Sequence, residues 1–364
     1  MIKVSNDLKL FLSIFFAIIC PVLIFCLILS LVSCQITVEG VQSLDGDVTV
    51  PVLTELIQDG KGQLALCFSE AVTLDELKLY KDEVVLCQED QLSLEFLGTK
   101  ALISIAQDVS LQAGEGYGLS GIATDSVGNS LSFYVPFYGY NENVPTLILS
   151  EVRTKNTKPK VEFVELYALT SGNIAGVTLY SANDDSLGEY VLPAAEVNAG
   201  EYIVVHFRTY EEQAAGCVNE TGEDLNVSTA PDSCKDVRDL WVPGEKARLG
   251  DSDVILLRNR SGGTIVDMVA FANSSLTEWK TQAFALAITE GIEDGAWQGG
   301  RNPEQVACSD GITETRTISR QNISLIQDAI QNGEPLPNND STCWLVTKTS
   351  SASPGKENSS QPYN

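Results

Sequence analysis

The residue types available for catalysis restrict the chemistry that this chain can perform. His206 is the only histidine among 364 residues. A Ser-His-Asp or Cys-His mechanism has no other imidazole to use, and a zinc site with two or more histidine ligands is impossible. Side chains alternate along the predicted strand 202–207, which puts His206 on the face of Tyr202 and Val204. We therefore predict a solvent-facing or rim histidine without a catalytic role.

Acidic side chains are numerous, but their spacing favours structural roles. Glu162 and Glu165 lie three residues apart, so along a strand they point to opposite faces and cannot act together as a glycosidase pair. Glu151 and Glu165 are predicted to bond loop backbone or Arg153. The sequence contains no Gly-rich phosphate loop, nucleophile elbow or metalloprotease helix. We assign no catalytic residue and predict that the protein is not an enzyme.

Six cysteines beyond the amino-terminal segment fit a role as disulfide staples. They are Cys67, Cys87, Cys217, Cys234, Cys308 and Cys343. An even number of cysteines in an exported chain is typical of disulfides. Several pairings are possible, and joining sequence neighbours keeps each bridge inside one unit: Cys67–Cys87, Cys217–Cys234 and Cys308–Cys343. No Cys-x-x-Cys occurs and the spacing suits no zinc site, so neither a metal nor another cofactor is predicted.

The amino terminus has the pattern of an export signal. Lys3 and Lys9 precede residues 10–33, which carry no charge. This run is long enough to span a bilayer, so an uncleaved signal anchor is one alternative. The sequence Leu31-Val32-Ser33-Cys34 resembles the lipobox of bacterial lipoproteins, which implies cleavage before Cys34, lipidation of its thiol and membrane attachment through acyl chains such as palmitate. Both alternatives predict a protein of the bacterial cell envelope, exposed to the periplasm or the cell surface.

The rest of the chain is typical of β-sandwiches. Short runs of β-branched and aromatic residues are separated by Gly, Pro, Asn and Asp. The predicted strands include 64–68, 92–96, 102–105, 147–152, 161–167, 177–180, 202–207, 253–257 and 264–269. We predict an all-β fold with two immunoglobulin-like sandwiches in tandem. The predicted order is a signal at 1–33, domains at 34–143 and 144–358, and a disordered tail at 359–364.

The first predicted domain resembles the bacterial immunoglobulin-like domain of surface-layer and adhesin proteins. The resemblance rests on Phe68-Ser69-Glu70-Ala71-Val72 and on Asp125-Ser126-Val127-Gly128-Asn129. It implies a core strand for the first motif and a turn into the last strand for the second. Asp125 and Asn129 offer too few oxygen ligands for calcium. The aromatic run 133–140 is either a last strand at a domain junction or an exposed patch for a glycan or protein.

The second predicted domain resembles the lamin-tail domain, an immunoglobulin-like sandwich. The motifs are Leu149-Ser150-Glu151-Val152, Phe163-Val164-Glu165-Leu166, Thr264-Ile265-Val266-Asp267-Met268-Val269, Thr317-Ile318-Ser319-Arg320, Trp344, Ser353-Pro354-Gly355 and Asn358. Insertions interrupt the resemblance at 211–240 and 274–307. In the second insertion, Ser275-Leu276-Thr277-Glu278 is predicted to be a capping box that opens a short helix through Ala287. Trp297, among glycines, is predicted to plug the core.

Charge restricts the partners. The chain has 49 Asp plus Glu against 23 Lys plus Arg, a formal net charge of -26. Phosphate backbones attract clusters of Lys and Arg, so nucleic acid is not a predicted partner. The leading hypothesis is a lipoprotein that displays β-sandwich modules, binds an envelope or extracellular protein or glycan, and acts as an adhesin or envelope organiser. One alternative is an exported carboxylate-dependent hydrolase or its accessory module. The other is a structural spacer.

Overall fold

A computed structural model of the chain describes residues 47–60, 62–184 and 186–363. The export signal, the lipobox and the predicted lipidation site at Cys34 lie outside these residues. In the described part, no helix is both long and apolar enough to cross a membrane. The described structure is dominated by β-sheets with few helices, which confirms the all-β prediction.

The first sandwich contains two four-stranded antiparallel sheets. Its strands are β1 (Leu53–Gly60), β2 (Gln63–Phe68), β3 (Thr73–Lys81), β4 (Val84–Gln88), β5 (Leu92–Leu97), β6 (Lys100–Ile105), β7 (Gly116–Thr124) and β8 (Ser130–Tyr138). One sheet has the order β1-β2-β6-β5 and the other β4-β3-β7-β8. Leu64, Leu66 and Phe68 bury one face of β2 in a core that also holds Leu79 and Leu119. The predicted alternation of β2 is therefore confirmed.

The second sandwich is larger. Its strands are β9 (Leu147–Arg153), β10 (Phe163–Ala168), β11 (Gly172–Asn173), β12 (Thr178–Ser181), β13 (Tyr190–Val191), β14 (Glu196–Val197), β15 (Tyr202–His206), β16 (Arg238–Trp241), β17 (Asp253–Arg258), β18 (Ile265–Ala272), β19 (Ala307–Cys308), β20 (Ile318–Arg320) and β21 (Trp344–Val346). The sheets have the orders β16-β15-β10-β9-β20-β21 and β13-β12-β17-β18-β19, with a small β11-β14 pair. A separate apolar core lies between them.

Central strands of the second sandwich are covered on both faces. Every residue of β9, β10 and β17 is buried. Two helices contribute to this cover. Helix α1 (Gln282–Glu293) contacts β17 and β18 and buries Phe284 and Ile288 in the main core. Helix α2 (Ile323–Asn332) packs Ile326 against Ile148 and Tyr167 on the other side of the six-stranded sheet.

The insertion at 274–307 differs in part from its prediction. The helix begins at Gln282 and not at the predicted capping box. Ser275 is held in a preceding turn, because its N–H and hydroxyl both donate to Oδ1 of Asn273. Trp297 is 1% exposed and its Nε1–H donates to the carbonyl of Gly300 at 3.1 Å. Its prediction as a core plug is confirmed.

The carboxyl-terminal tail differs from the predicted disorder. Residues 347–363 return along β21, with a bridge between Thr347 and Pro362 and a hydrogen bond from the N–H of Tyr363 to the carbonyl of Val346 at 2.8 Å. The Arg316 guanidinium carbon lies 4.1 Å from the centroid of the Tyr363 ring. These backbone bonds and this ring contact order the tail, which composition alone did not indicate.

Candidate functional site

A cleft of about 1030 Å³ opens where the first sandwich meets the second. Strands β3, β7 and β8 line one wall. The other wall comes from Ala175 and Gly176 and from the β17–β18 hairpin at 259–262. Ligand pockets in proteins usually occupy roughly 300 to 1,000 Å³, so this cleft has room for an extended ligand.

Strand β8 supplies the aromatic surface of the cleft. Phe137 is buried in the first core with Phe133 packed against that core, whereas Tyr134 is 63% exposed and Tyr138 is 39% exposed. The two-residue period of a strand separates these two sets. Tyr80 from β3 lies beside Tyr134, with ring centroids 6.3 Å apart and planes at 58°. The aromatic run therefore serves both predicted purposes, a core strand and an exposed patch.

A glycine positions the most exposed ring. Tyr134 lies over Gly118 on the neighbouring strand β7. A Cβ at Gly118 would come within 2.0 Å of the Tyr134 hydroxyl oxygen. Any larger residue at this position must displace Tyr134, so Gly118 fixes the orientation of the ring without contacting a ligand itself.

Short hydrogen bonds join the two walls of the cleft. The Asn141 side-chain amide donates to the carbonyls of Asn173 at 2.6 Å and Ala175 at 2.9 Å. The N–H of Asn173 donates to the carbonyl of Asn143 at 2.7 Å. A Cβ at Gly114 would lie 2.7 Å from the backbone nitrogen of Gly176, so the two sandwiches make backbone-to-backbone contact here. The shape of the cleft is therefore set by direct bonds between its walls.

The polar groups of the cleft are mostly acidic. Asp82, Glu83 and Glu142 line it together with Arg260. Asp82 and Glu83 have φ of 49° and 66° at the tip of the β3–β4 hairpin, a conformation typical of tight two-residue turns. The Arg260 guanidinium carbon lies 5.9 Å from the centroid of the Tyr140 ring. This excess of carboxylates disfavours polyanionic ligands.

The carboxylates considered in the sequence are buried and engaged by protein groups. Glu151 and Glu165 face each other across β9 and β10 and are both 0% exposed. Glu151 accepts from the hydroxyls of Thr317 and Ser319 and from the N–H of Ser353. Burial, followed by the charge of Glu151, raises the pKa of Glu165 well above its usual value. The two glutamates hold the carboxyl-terminal segment 353–358 against the sheet.

The segment 353–358 is bonded to the strands that carry the two glutamates and Arg320. Glu165 accepts from the hydroxyl of Ser150 at 2.7 Å and from the N–H of Gly355. The side-chain amide of Asn358 donates to the carbonyls of Ser150 and Arg320, both at 3.0 Å. The prediction that these glutamates bond loop backbone is confirmed, because the motif at 353–358 supplies their donors.

Glu162 and Asp253 are also buried acids, but they differ in how completely their carboxylate oxygens are hydrogen-bonded. Burial raises the pKa of Glu162 to about 7, and its Oε2 has no hydrogen-bond partner. Burial likewise raises the pKa of Asp253 to about 7, although Asp253 accepts from Ser181, Asn183, Gly250 and Val254. The missing partner makes Glu162 the acid better suited to a protonated state.

Asp267 and Arg320 form a buried ion pair between the two sheets. Arg320 Nη1 lies 2.6 Å from Asp267 Oδ2, and the same oxygen accepts the N–H of Leu149 at 2.7 Å. The Asn339 amide donates to the other oxygen at 3.0 Å. Burial raises the pKa of Asp267. This network connects β9, β18 and β20.

His206 contradicts its predicted position at the solvent-facing rim. It is 1% exposed. Its ring stacks on Trp241 with centroids 3.9 Å apart, and its Nε2 lies 2.8 Å from Asp239 Oδ1. The cause is β16, which pairs in parallel with β15 and belongs to the first insertion. The sequence pattern of β15 alone gave no sign of this cover.

The predicted disulfides are absent among the described cysteines, which are all free thiols in the structure. For Cys67 and Cys87 the sheets explain this. Cys87 is buried in the core, whereas Cys67 alternates with the core residues Leu66 and Phe68 and so faces away from it. The two thiols therefore lie on different sides of the first sheet in this structure, and their pairing stays a prediction. Cys217, Cys234 and Cys343 are partly buried, and Cys308 is exposed.

Comparisons with known proteins found a relative and a family model. A curated protein of Treponema pallidum (strain Nichols), titled only as an uncharacterized protein, is 30% identical over 187 residues. The match covers 49% of this chain and 47% of that protein, so the chain spans about half the length of the relative. The family model TP_1001_2nd, described as a protein second domain, matches residues 145–346, more than half of the chain. This chain therefore belongs to the TP_1001_2nd second-domain family.

Proposed function

We propose that this chain is an exported bacterial lipoprotein that binds a glycan of the envelope or cell surface in the cleft between its two sandwiches. The observation that carries the proposal is the row of tyrosines along one wall, with Tyr134 held over Gly118 and 63% exposed. Large exposed aromatic surfaces on soluble domains usually mark binding sites.

The chemistry of the cleft favours a glycan over a protein partner. Tyrosine combines a flat apolar face with a hydroxyl group, which suits sugar rings that also alternate apolar faces and hydroxyls. Asn141 and Arg260 add polar groups along the same cleft. Its concave shape and its acidic rim fit a neutral or cationic chain of sugars better than a flat protein surface.

Membrane attachment remains part of the proposal and rests on the sequence. The run at 31–34 resembles a lipobox, and it follows an uncharged segment of signal type. Acyl chains on Cys34 would hold the two sandwiches at the envelope. The relative in Treponema pallidum supports a bacterial setting. Mass spectrometry of the mature amino terminus tests this part: a diacylated Cys34 supports it and an uncleaved Met1 contradicts it.

Binding without turnover is favoured by the positions of the acids. Glu151, Glu162 and Glu165 are 0% exposed, and protein groups donate to each of them. A glycosidase requires two carboxyl groups that flank an accessible bond. These three acids do not line the cleft, so we propose that the protein retains its ligand without cleaving it, and single substitutions of the cleft carboxylates Asp82, Glu83 and Glu142 test this.

Binding to a panel of peptidoglycan fragments and neutral oligosaccharides tests the function, with the full chain in detergent. We expect Tyr134→Ala to weaken binding of a retained glycan about tenfold, since a truncated aromatic anchor typically loses at least 1 kcal/mol. Gly118→Ala should weaken it in the same direction by displacing the ring. Phe96→Ala is the matched control, because Phe96 is 43% exposed on the other sheet of the first sandwich.

Three outcomes would overturn the proposal. Retention of no glycan on the panel is one, and equal losses for Phe96→Ala and Tyr134→Ala are another. Cleavage of a bound glycan that disappears on mutation of a single carboxylate would show a hydrolase instead. Retention of a protein partner, with the same dependence on Tyr134, would keep the cleft and replace its ligand class.

A further inference from the structure

Three side chains of metal-ligand type converge beside the first insertion. A ring nitrogen of His206, the Sγ of Cys234 and a carboxylate oxygen of Asp239 all lie within 4.8 Å of one another. His206 is 1% exposed and Asp239 is 0% exposed, whereas Cys234 is only partly buried. Two of the three groups are therefore buried, and the third lies nearer the surface.

The sheet register fixes two of the three groups. His206 on β15 pairs with Trp241 on β16, and Val204 pairs with Asp239. Residues two apart on a strand share a face, so His206 and Asp239 lie on the same side of the sheet. The 2.8 Å contact between His206 Nε2 and Asp239 Oδ1 follows from this register.

The insertion brings the third group to the same place. The N–H of Cys234 donates to Asp239 Oδ2 at 2.7 Å. Glu220 accepts the N–H of Asp239 at 2.8 Å and that of Ser228 at 3.0 Å. The loop before β16 is thus bonded at both ends to the strand that carries Asp239, and Cys234 cannot move far from His206.

One atom of the cluster is unsatisfied. Nδ1 of His206 is buried and has no hydrogen-bond partner. Buried polar atoms in native proteins are nearly always paired with protein, water or an ion. Nε2 faces Asp239 while Nδ1 lies on the other edge of the ring, so an ion shared with Asp239 and Cys234 would bind Nε2 and leave the ring proton on Nδ1.

We infer that Cys234, His206 and Asp239 form a binding site for a divalent transition metal ion of the zinc type. Sulfur, nitrogen and carboxylate oxygen are the ligands that Zn²⁺ takes in proteins, at about 2.0 to 2.3 Å from the metal. Tetrahedral ligands at those distances lie about 3.5 Å from one another. The observed groups, which lie within 4.8 Å of one another, therefore need to close by about 1.3 Å at most.

Binding of the metal ion releases a proton. The Cys234 thiol gives up its proton to solvent and the thiolate bonds the metal, with no change of oxidation state. His206 is neutral when it binds, and a water molecule fills the fourth position. The ion would tie the loop before β16 to β15 and β16, which gives this loop the kind of staple that small exported folds obtain from disulfides or metals.

Metal titration of the full chain, reduced and stripped with a chelator, tests the site. We expect one Co²⁺ per chain with a thiolate-to-cobalt absorption band, and displacement of Co²⁺ by Zn²⁺. Cys234→Ser should abolish the band, and His206→Gln should lower the affinity at least tenfold. Cys217→Ser is the matched control, since Cys217 belongs to the same insertion and its Sγ donates to the carbonyl of Gln213 at 3.3 Å.

A second measurement uses the unmutated chain and does not depend on the folding of variants. Zn²⁺ should protect Cys234, but not Cys308, from alkylation, as read by peptide mass spectrometry. Equal alkylation of Cys234 with and without Zn²⁺ would overturn the inference. A Cys217–Cys234 disulfide in protein isolated without reductant would overturn it as well, because the ligand thiolate would then be consumed.

Discussion

The two sandwiches fill their interiors differently. Among the described residues of the first sandwich, Asp125 is the only buried polar or charged side chain. It is satisfied locally, because its Oδ1 accepts the N–H groups of Val127, Gly128 and Asn129. The second sandwich buries charged groups in its centre, among them Glu151, Glu165 and the Asp267–Arg320 pair.

The buried charged groups of the second sandwich accompany its insertions and long connections. The first sandwich needs little more than alternating apolar strands joined by short turns. The second carries two insertions, two helices and a returning tail. Buried carboxylates hold several of these segments by accepting their backbone N–H groups, as Glu151 and Glu165 do for the motif at 353–358. We expect the first sandwich to depend on packing volume and the second to depend also on charge and pH.

The largest expected effect is in the second sandwich. Arg320→Ala leaves Asp267 buried without its counter-ion, which typically costs about 3 to 5 kcal/mol of unfolding free energy. Urea unfolding followed by tryptophan fluorescence measures this, because all four tryptophans lie at 241–344. The control is the double variant Arg320→Met with Asp267→Leu, which removes both charges and should recover most of the loss. A loss under about 1 kcal/mol for Arg320→Ala would contradict the role of the pair.

The matching change in the first sandwich removes packing alone. Leu119 is 0% exposed at the centre of β7. Leu119→Ala should cost about 3 kcal/mol through the cavity that it leaves. Hydrogen exchange at β2 and β7 measures it, and the loss should be the same at pH 5 and pH 8. A strongly pH-dependent loss would show that the first core also relies on charge.

The third prediction concerns pH. The pKa of Glu162 is raised to about 7 by burial, so the folded state holds a proton that the unfolded state releases near pH 4.5. Stability of the second sandwich should therefore be greatest below pH 4.5 as far as this group is concerned, and fall as pH rises towards 7. Glu162→Gln should remove about 2 to 3 kcal/mol of this fall. Unfolding curves between pH 5 and pH 8 test it, and an unchanged slope in the variant would contradict it.

The smallest effect is expected where the two sandwiches meet. Asn141→Ala removes two hydrogen bonds from the side-chain amide to the second sandwich. We expect the unfolding free energy to fall by about 1 kcal/mol. Calorimetry should then show the two sandwiches melting separately. Asn129 lies in the β7–β8 turn, and its side-chain amide donates to Asp125 of the same turn at 2.8 Å, so Asn129→Ala should leave the coupled melting of the sandwiches intact. Coupled melting in both variants would show that the backbone contacts of Asn143 and Gly114 are enough to join the sandwiches.

Local patterns predicted much of the fold. The runs at 64–68, 147–152 and 253–257 became strands because alternation and β-branched composition act within a few residues. The aromatic run at 133–140 divided into buried and exposed sets for the same reason. The capping-box prediction at Ser275 failed because Asn273 Oδ1 accepts the Ser275 N–H, which Glu278 would accept in a capping box, and also accepts the Ser275 hydroxyl.

The sequence alone therefore determined the fold class, the acidic charge and the scarcity of histidine. Tertiary structure decided which polar groups meet. His206 and Asp239 are 33 residues apart and Leu149 and Asp267 are 118 apart. Their contacts depend on which strands pair, a choice made by packing of the whole sandwich and not by the period of any one strand. The cleft likewise depends on contacts between the two sandwiches, among them those of Asn141, Asn143 and Gly114.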